Sequence, residues 1–270
     1  MIYYAIGDIH GMRDTFLAMV NKIRVHANKN FKDQEYKIVL LGDYVDRGDN
    51  SRGVIEELMK LDDQFIILPG NHETMMFSGF QNIDDGSFEE YMMWWGRNGG
   101  FETLVSYFPD DHDSRDIENW QSRKNCVDWM VQFVKEFPDH YDWLHKCVTN
   151  QFNPTGQYHY IDFEDRIMFV HAGIQPHRML KDQDEQTFLW GRDVNFLKDR
   201  MKWVQEDIDM VVHGHTIMLE GNLADHRSSL DTGAYHTGHM MCGVFVNGQR
   251  VDTIIEAGPP SELYHSQSGF

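Results

Sequence analysis

The sequence predicts an α/β fold that opens as a largely parallel β-α-β-α-β unit. Five short apolar runs rich in β-branched or aromatic residues look like buried strands: IYYAI (2–6), KIVLL (37–41), FIIL (65–68), RIMFV (166–170) and MVV (210–212). Between the first three runs, apolar residues return at helical spacing. Each run also ends in a polar cluster, GDIHG, GDYVDRG, PGNHE, HAGI and HGHT in turn. Ligands of parallel α/β sheets collect beyond the carboxyl ends of the strands, where these clusters sit.

The first connection carries Phe16, Leu17, Val20 and Ile23 on one helical face, and the second carries Val54, Ile55, Leu58 and Met59. Residues 74–165 form a long excursion with EEYMMWWGRNGG, an acidic run PDDHDSRDIEN and a helix-like CVDWMVQFVKEF. It reads as a mostly helical insertion or cap on one domain spanning 1–270, with its Met and Trp residues packed as core. Beyond the fifth run, HRSSLDTGAY, MMCGVFV and RVDTIIEA predict further strands. Asn247-Gly248 between the last two is a hairpin signal. The tail PPSELYHSQSGF reads as surface.

The chain has 270 residues, 41% hydrophobic, which suits a folded globular protein rather than a disordered one. A net charge of −19 repels phosphate backbones, so no sequence-independent nucleic-acid binding is expected. Three widely spaced cysteines, Cys126, Cys147 and Cys242, form neither a zinc ribbon nor a disulfide framework. With no leader-like start and no apolar stretch of membrane-spanning length, a cytoplasmic location without membrane association is expected. The oligomeric state is left open.

Asp8 and His10 lie two apart between Gly7 and Gly11, so an extended segment points both to one side. Alone, such a pair arises by chance in many loops. Asp43, Asp46 and Arg47 follow the second run, Asn71 and His72 the third, His171 the fourth, and His213 and His215 the fifth. Repetition at five strand ends is what makes chance untenable. Drawn from these residues, two carboxylates, one amide oxygen and three imidazoles would form a nitrogen and oxygen donor set without thiolate, suited to Mn, Fe or Zn. Six donors exceed what one open site needs, but they serve two ions bridged by a carboxylate. Such ions, roughly 3.5–4 Å apart, can hold a hydroxide for in-line attack on phosphorus. Spacing does not choose between His213 and His215.

GDIHG, GDYVDRG, GNHE, HAGI and GHT, in this order, resemble the signature blocks of the phosphoprotein phosphatase family of metallophosphoesterases. WWGRNGG, LWGRD and LDTGA are similar to segments of its bacterial and bacteriophage lambda-like branch. The resemblance implies a calcineurin-like metallophosphoesterase β-sandwich of two mixed sheets flanked by helices, and two divalent ions, manganese first, with iron or zinc also fitting. It implies Asp8 and His10 on one ion, Asp43 bridging, and Asn71, His171 and His215 on the other. His72 then matches the general acid, Asp46 its partner, and Arg47 and Arg192 the arginines that grip phosphate. His213 is expected to be packed or to support a ligand. Asp231 would orient a ligand histidine or hold a turn, Glu73 serves local hydrogen bonding, and His236 and His239 are at most rim residues.

The activity implied is a serine/threonine protein phosphatase acting on phosphoproteins or phosphopeptides. A symmetrical diadenosine tetraphosphatase shares the fold and most motifs, although family members of that type tend to lack the acid that is Asp46 here. An inactive phospho-binding module is the third reading. HTIM in place of the HTP common in the bacterial branch, and HAGI in place of the eukaryotic HGG, remove no ligand but weaken any transfer of substrate preference from eukaryotic enzymes.

Overall fold

In the computed structural model, which describes residues 1–108, 123–198, 203, 205, 207–219, 222–224 and 226–263, the strands alternate with helices as the sequence predicts. In chain order the strands are β1 (Ile2–Ile6), β2 (Tyr36–Leu40), β3 (Phe65–Ile67), β4 (His159–Asp162), β5 (Ile167–Val170), β6 (Met210–His213), β7 (Asn222–Leu223), β8 (Arg227–Ser229), β9 (His239–Val246) and β10 (Gln249–Ala257). The helices are α1 (Arg13–Asn30), α2 (Ser51–Leu58), α3 (Asn71–Gln81), α4 (Phe88–Trp95), α5 (Phe101–Tyr107), α6 (Arg123–Glu136), α7 (Pro138–Val148), α8 (Glu185–Trp190), α9 (Val194–Leu197) and α10 (Ala234–Thr237).

The strands build two sheets, in the orders β10-β9-β1-β2-β3 and β4-β5-β6-β8-β7. Parallel pairing, expected from the alternation, holds for β1-β2-β3 and β5-β6-β8. Antiparallel pairing of β9 with β1 and β10, of β4 with β5 and of β7 with β8 makes both sheets mixed. Two-residue periodicity explains the stacking. Tyr3, Ala5, Val39, Leu41, Ile167 and Phe169 fill the core between the sheets, while Ile2, Tyr4, Ile6, Ile38 and Leu40 face the helices. Met168, Val170 and Val211 form a third cluster on the far side of the second sheet with Phe188 and Phe196.

Phe16, Val20 and Ile23 of α1 are buried as expected, whereas Leu17 is half-buried and Met59 stays exposed. Met76, Met92, Trp95, Phe133 and Trp143, from α3, α4, α6 and α7, join the core of β1 and α1. Asn247 (φ 50°) and Gly248 (φ 73°) close the β9-β10 hairpin with two left-handed residues, which a type I′ turn requires. The acidic run 109–119 and the tail end 264–270 lie outside the described residues. Among the described residues no helix is long and apolar enough to cross a membrane.

Candidate metal centre

The loops leaving β1, β2, β3, β5 and β6 converge where the two sheets meet. His171 Nδ1 donates to the Leu41 carbonyl at 2.8 Å, tying the end of β5 to the end of β2. Five polar residues in these loops, His10 (φ 42°), Asp43 (54°), Asp46 (70°), Arg47 (69°) and His215 (60°), hold left-handed backbones. Each costs on the order of 1–3 kcal/mol, so the surrounding contacts must enforce them, and such strain gathers at functional sites.

Glu73 supplies much of that enforcement. Its buried carboxylate accepts backbone N–H groups from Asp43 (2.9 Å), Tyr44 (2.7 Å), Val45 (3.2 Å) and Gly70 (2.9 Å), clamping two loops with one side chain. The Gly70 φ of −100° is open to any residue, so backbone freedom is not what requires glycine there. Space is what requires glycine: a Cβ there would lie 2.1 Å from Asp43 Oδ1. Asn71 and His72 diverge as the first two residues of the α3 helix.

Two groups of side chains share Asp43: His10, Asp43 and His72, and Asp43, His171 and His215. Asp43 Oδ2 lies 3.5 Å from His10 Nε2, and its Oδ1 lies 3.4 Å from His171 Nε2. Asp8 Oδ2 stands 4.0 Å from His10 Nε2, and both Asp8 oxygens accept the backbone N–H of His215 (3.0 and 3.1 Å). Asn71 Oδ1 meets His171 Nε2 at 2.8 Å and His215 Nδ1 at 3.0 Å. Each of these residues is at least nine-tenths buried.

The donor set fits a cation. A carbonyl only accepts, so His171 carries its proton on Nδ1. Burial pulls its pKa down to about 4, leaving it neutral at pH 7 with an Nε2 lone pair facing the Asn71 oxygen. Two lone pairs at that separation repel; a cation between them reverses the sign. His10 is oriented the same way, by Nδ1 donating to the Val45 carbonyl at 2.8 Å. His215 Nε2 is buried without a hydrogen-bond partner. Burial pushes the Asp43 carboxyl up to about 7 and Asp8 well above its usual range, with Asp231 raising both further. Positive charge is what such a pair of carboxylates needs in order to stay ionised.

Beside this cluster, His72 Nδ1 lies 2.7 Å from Asp46 Oδ2. Asp46 also accepts from Trp95 Nε1 (2.9 Å) and Thr103 Oγ1 (2.7 Å). Burial raises the Asp46 pKa against these donors and lowers that of His72, an effect to which Arg47 adds.

A family model for calcineurin-like phosphoesterases matches residues 1–219. The chain belongs to that family. This phosphoesterase is 32% identical over 120 residues to a symmetrical bis(5′-nucleosyl)-tetraphosphatase of Buchnera aphidicola, a match covering 44% of the chain and only 37% of that relative. It is 24% identical over 241 residues to an asymmetrical bis(5′-nucleosyl)-tetraphosphatase of Oceanobacillus iheyensis, covering 84% of the chain and 82% of the relative. In fold it resembles a candidate diadenosine tetraphosphatase (TM-score 0.52, 16% identity, 96% and 95% of the two chains). It also resembles a serine/threonine phosphatase of Saccharomyces cerevisiae (TM-score 0.50, 13% identity, 98% and 83%).

The phosphoesterase thus gathers Asp8, His10, Asp43, Asp46, Arg47, Asn71, His72, His171 and His215. Arg47 Nη1 donates to His10 Nε2 at 2.9 Å, and its guanidinium lies 5.1 Å from the Tyr235 ring centre. Arg192 is exposed in the turn between α8 and α9, where its charge helps lower the pKa of His215. His213 faces the other way: its Nε2 accepts from Arg227 at 3.0 Å and its ring packs on Phe196. Asp231 holds a turn by accepting the Gly233 N–H at 2.8 Å. His236 and His239 are exposed, outside both groups.

Trp95, Thr103 and Tyr235 escape sequence reasoning. WWGRNGG marks the segment holding Trp95, but a buried indole aimed at a carboxylate reads no differently from a core tryptophan. Nothing local marks Thr103 or Tyr235.

Proposed function

We propose that this phosphoesterase is a dimetal hydrolase that cleaves dinucleoside polyphosphates. The observation that carries the chemistry is Asp43, whose two oxygens face two separate groups of imidazoles. In this reading Asp8, His10 and Asp43 hold one divalent ion, and Asp43, Asn71, His171 and His215 hold the other. Bound there, the ions would supply Lewis acidity and lower the pKa of water to near neutrality. The substrate class is supported by relatives named bis(5′-nucleosyl)-tetraphosphatases, two of which align over 84% and 89% of the chain.

The chain's own residues do the rest. His10 Nε2 has one lone pair, which now accepts from Arg47; were that lone pair given to a cation, the Arg47 guanidinium would be left to grip phosphate oxygens. Arg192 adds a second guanidinium from the rim. Asp46 accepts the His72 Nδ1 proton, and its carboxylate opposes the burial that disfavours the imidazolium, so that a doubly protonated ring donates from Nε2 to the departing oxygen. Glu73 keeps the Asp43 and Asn71 loops in register.

A second reading, a serine/threonine phosphoprotein phosphatase, is favoured by the Asp46–His72 contact itself. A serine alkoxide is a poor leaving group and needs a proton far more than a nucleotide phosphate does. An inactive phospho-binding module has no support from a donor set this complete. Initial rates on diadenosine tetraphosphate and a phosphoseryl peptide, with manganese added after chelation, decide. The first reading expects kcat/KM for the dinucleotide at least a hundredfold higher. The reverse order moves the assignment to phosphoprotein, and inactivity on both removes catalysis.

A further inference from the structure

The α4 segment has two adjacent tryptophans with opposite duties. Trp95 points inward to Asp46, while Trp94 is 44% exposed, unusual for so large an apolar ring. The Trp94 ring lies 6.1 Å from that of Trp190 at the end of α8, tilted by 31°. Trp190 in turn lies 6.3 Å from the His215 ring, nearly perpendicular to it. Two indoles from separate elements therefore form a strip running outward from the metal centre.

The strip is flanked by phosphate-binding chemistry. Asn98 and Gly99, just beyond α4, accept N–H groups of Arg47 with their carbonyls (3.4 and 3.0 Å). Arg192 follows Trp190 by two residues, and its charge reaches His215. An anion at the centre held by guanidinium groups, with the exposed Trp94 ring and the half-buried Trp190 ring beside it, matches the two ends of a nucleotide: phosphate and base.

We propose that Trp94 and Trp190 form a stacking platform for one nucleobase of the dinucleoside polyphosphate, which makes Trp94 a specificity-determining residue. The proposal rests on the substrate reading above. Every base has a π face, so the platform recognises the nucleoside without selecting among bases by hydrogen bonds. Stacking holds ground state and transition state alike, so its loss falls on KM and not on kcat.

The test compares wild type, Trp94→Ala and Trp94→Phe on diadenosine tetraphosphate and on inorganic tripolyphosphate, which has no base. Trp94→Ala is expected to raise KM for the dinucleotide about tenfold, the size of one lost base stack. Its kcat should stay within twofold, and Trp94→Phe should recover most of the loss. Tripolyphosphate kinetics should move less than twofold. An unchanged dinucleotide KM, or equal losses on both substrates, overturns the platform. If wild type leaves diadenosine tetraphosphate intact while cleaving a phosphoseryl peptide, the substrate reading falls separately. Calorimetric binding of ADP and pyrophosphate then decides the platform: a loss confined to ADP in Trp94→Ala retains it, and equal losses end it.

Discussion

His72 and Asp46 meet at 2.7 Å, in a contact from which both side chains exclude water. The carboxylate fixes one ring nitrogen, so the other is free for a leaving oxygen. His72→Asn should therefore slow hydrolysis of an alkyl phosphate at least a hundredfold. The loss on p-nitrophenyl phosphate, whose leaving group scarcely needs a proton, should be tenfold or less. Steady-state kinetics on the two substrates check this; equal losses would assign His72 a structural role.

Trp95 donates to the same Asp46 oxygen that His72 contacts. Trp95→Phe keeps the buried ring but removes one hydrogen bond to a carboxylate, worth roughly 1.5–3 kcal/mol where the acceptor is charged. We expect kcat to fall about tenfold with KM unchanged, and thermal unfolding to shift by only a few degrees. A change in KM alone would place Trp95 in substrate binding instead.

Glu73 accepts four backbone N–H groups from two loops. Glu73→Gln presents one oxygen in place of two and turns an N–H toward N–H donors, a cost on the order of 3 kcal/mol. Calorimetry should show a lower melting temperature. Because the Asp43 and Asn71 loops lose their shared anchor, metal affinity should fall tenfold or more in titration.

His159 in β4 is 7% exposed, and its Nδ1 is buried without a hydrogen-bond partner. Burial pulls its pKa down to about 4. The unfolded chain, with an ordinary value near 6.5, binds more protons than the folded chain between those two pH values. Stability contributed by the neutral ring is present above pH 6.5 and is lost as pH falls toward 4, by at most about 3 kcal/mol. Urea unfolding at pH 7 and pH 4.5 should show a smaller drop in His159→Leu than in wild type.

Much of this site is legible in the sequence because its residues sit at strand ends, where glycine-bounded polar clusters interrupt apolar runs. Asp8, His10, Asp43, Asn71, His171 and His215 are local signals of that kind. Spacing alone does not choose His215 over His213, and the choice rests on the GHT resemblance; in the structure His213 ends β6 and faces Arg227, while the left-handed backbone at His215 turns that ring toward Asn71. Trp95 and Thr103 belong to the helical excursion, and their bonds to Asp46 span 49 and 57 residues of sequence. The β4 strand, HYID, is half-buried and carries polar residues, so no apolar run announces it. The serine/threonine preference implied by the motifs is the reading that the relatives do not favour, because the shared blocks encode phosphoryl chemistry and not the group attached to it.

The central claim is that Asp43 joins two cation sites. Metal content per chain, measured by mass spectrometry after manganese loading and desalting, tests it in wild type, His10→Ala, His171→Ala and Asp43→Asn. The account predicts two ions, one, one and none, respectively. One ion in wild type, or two retained in Asp43→Asn, would contradict it.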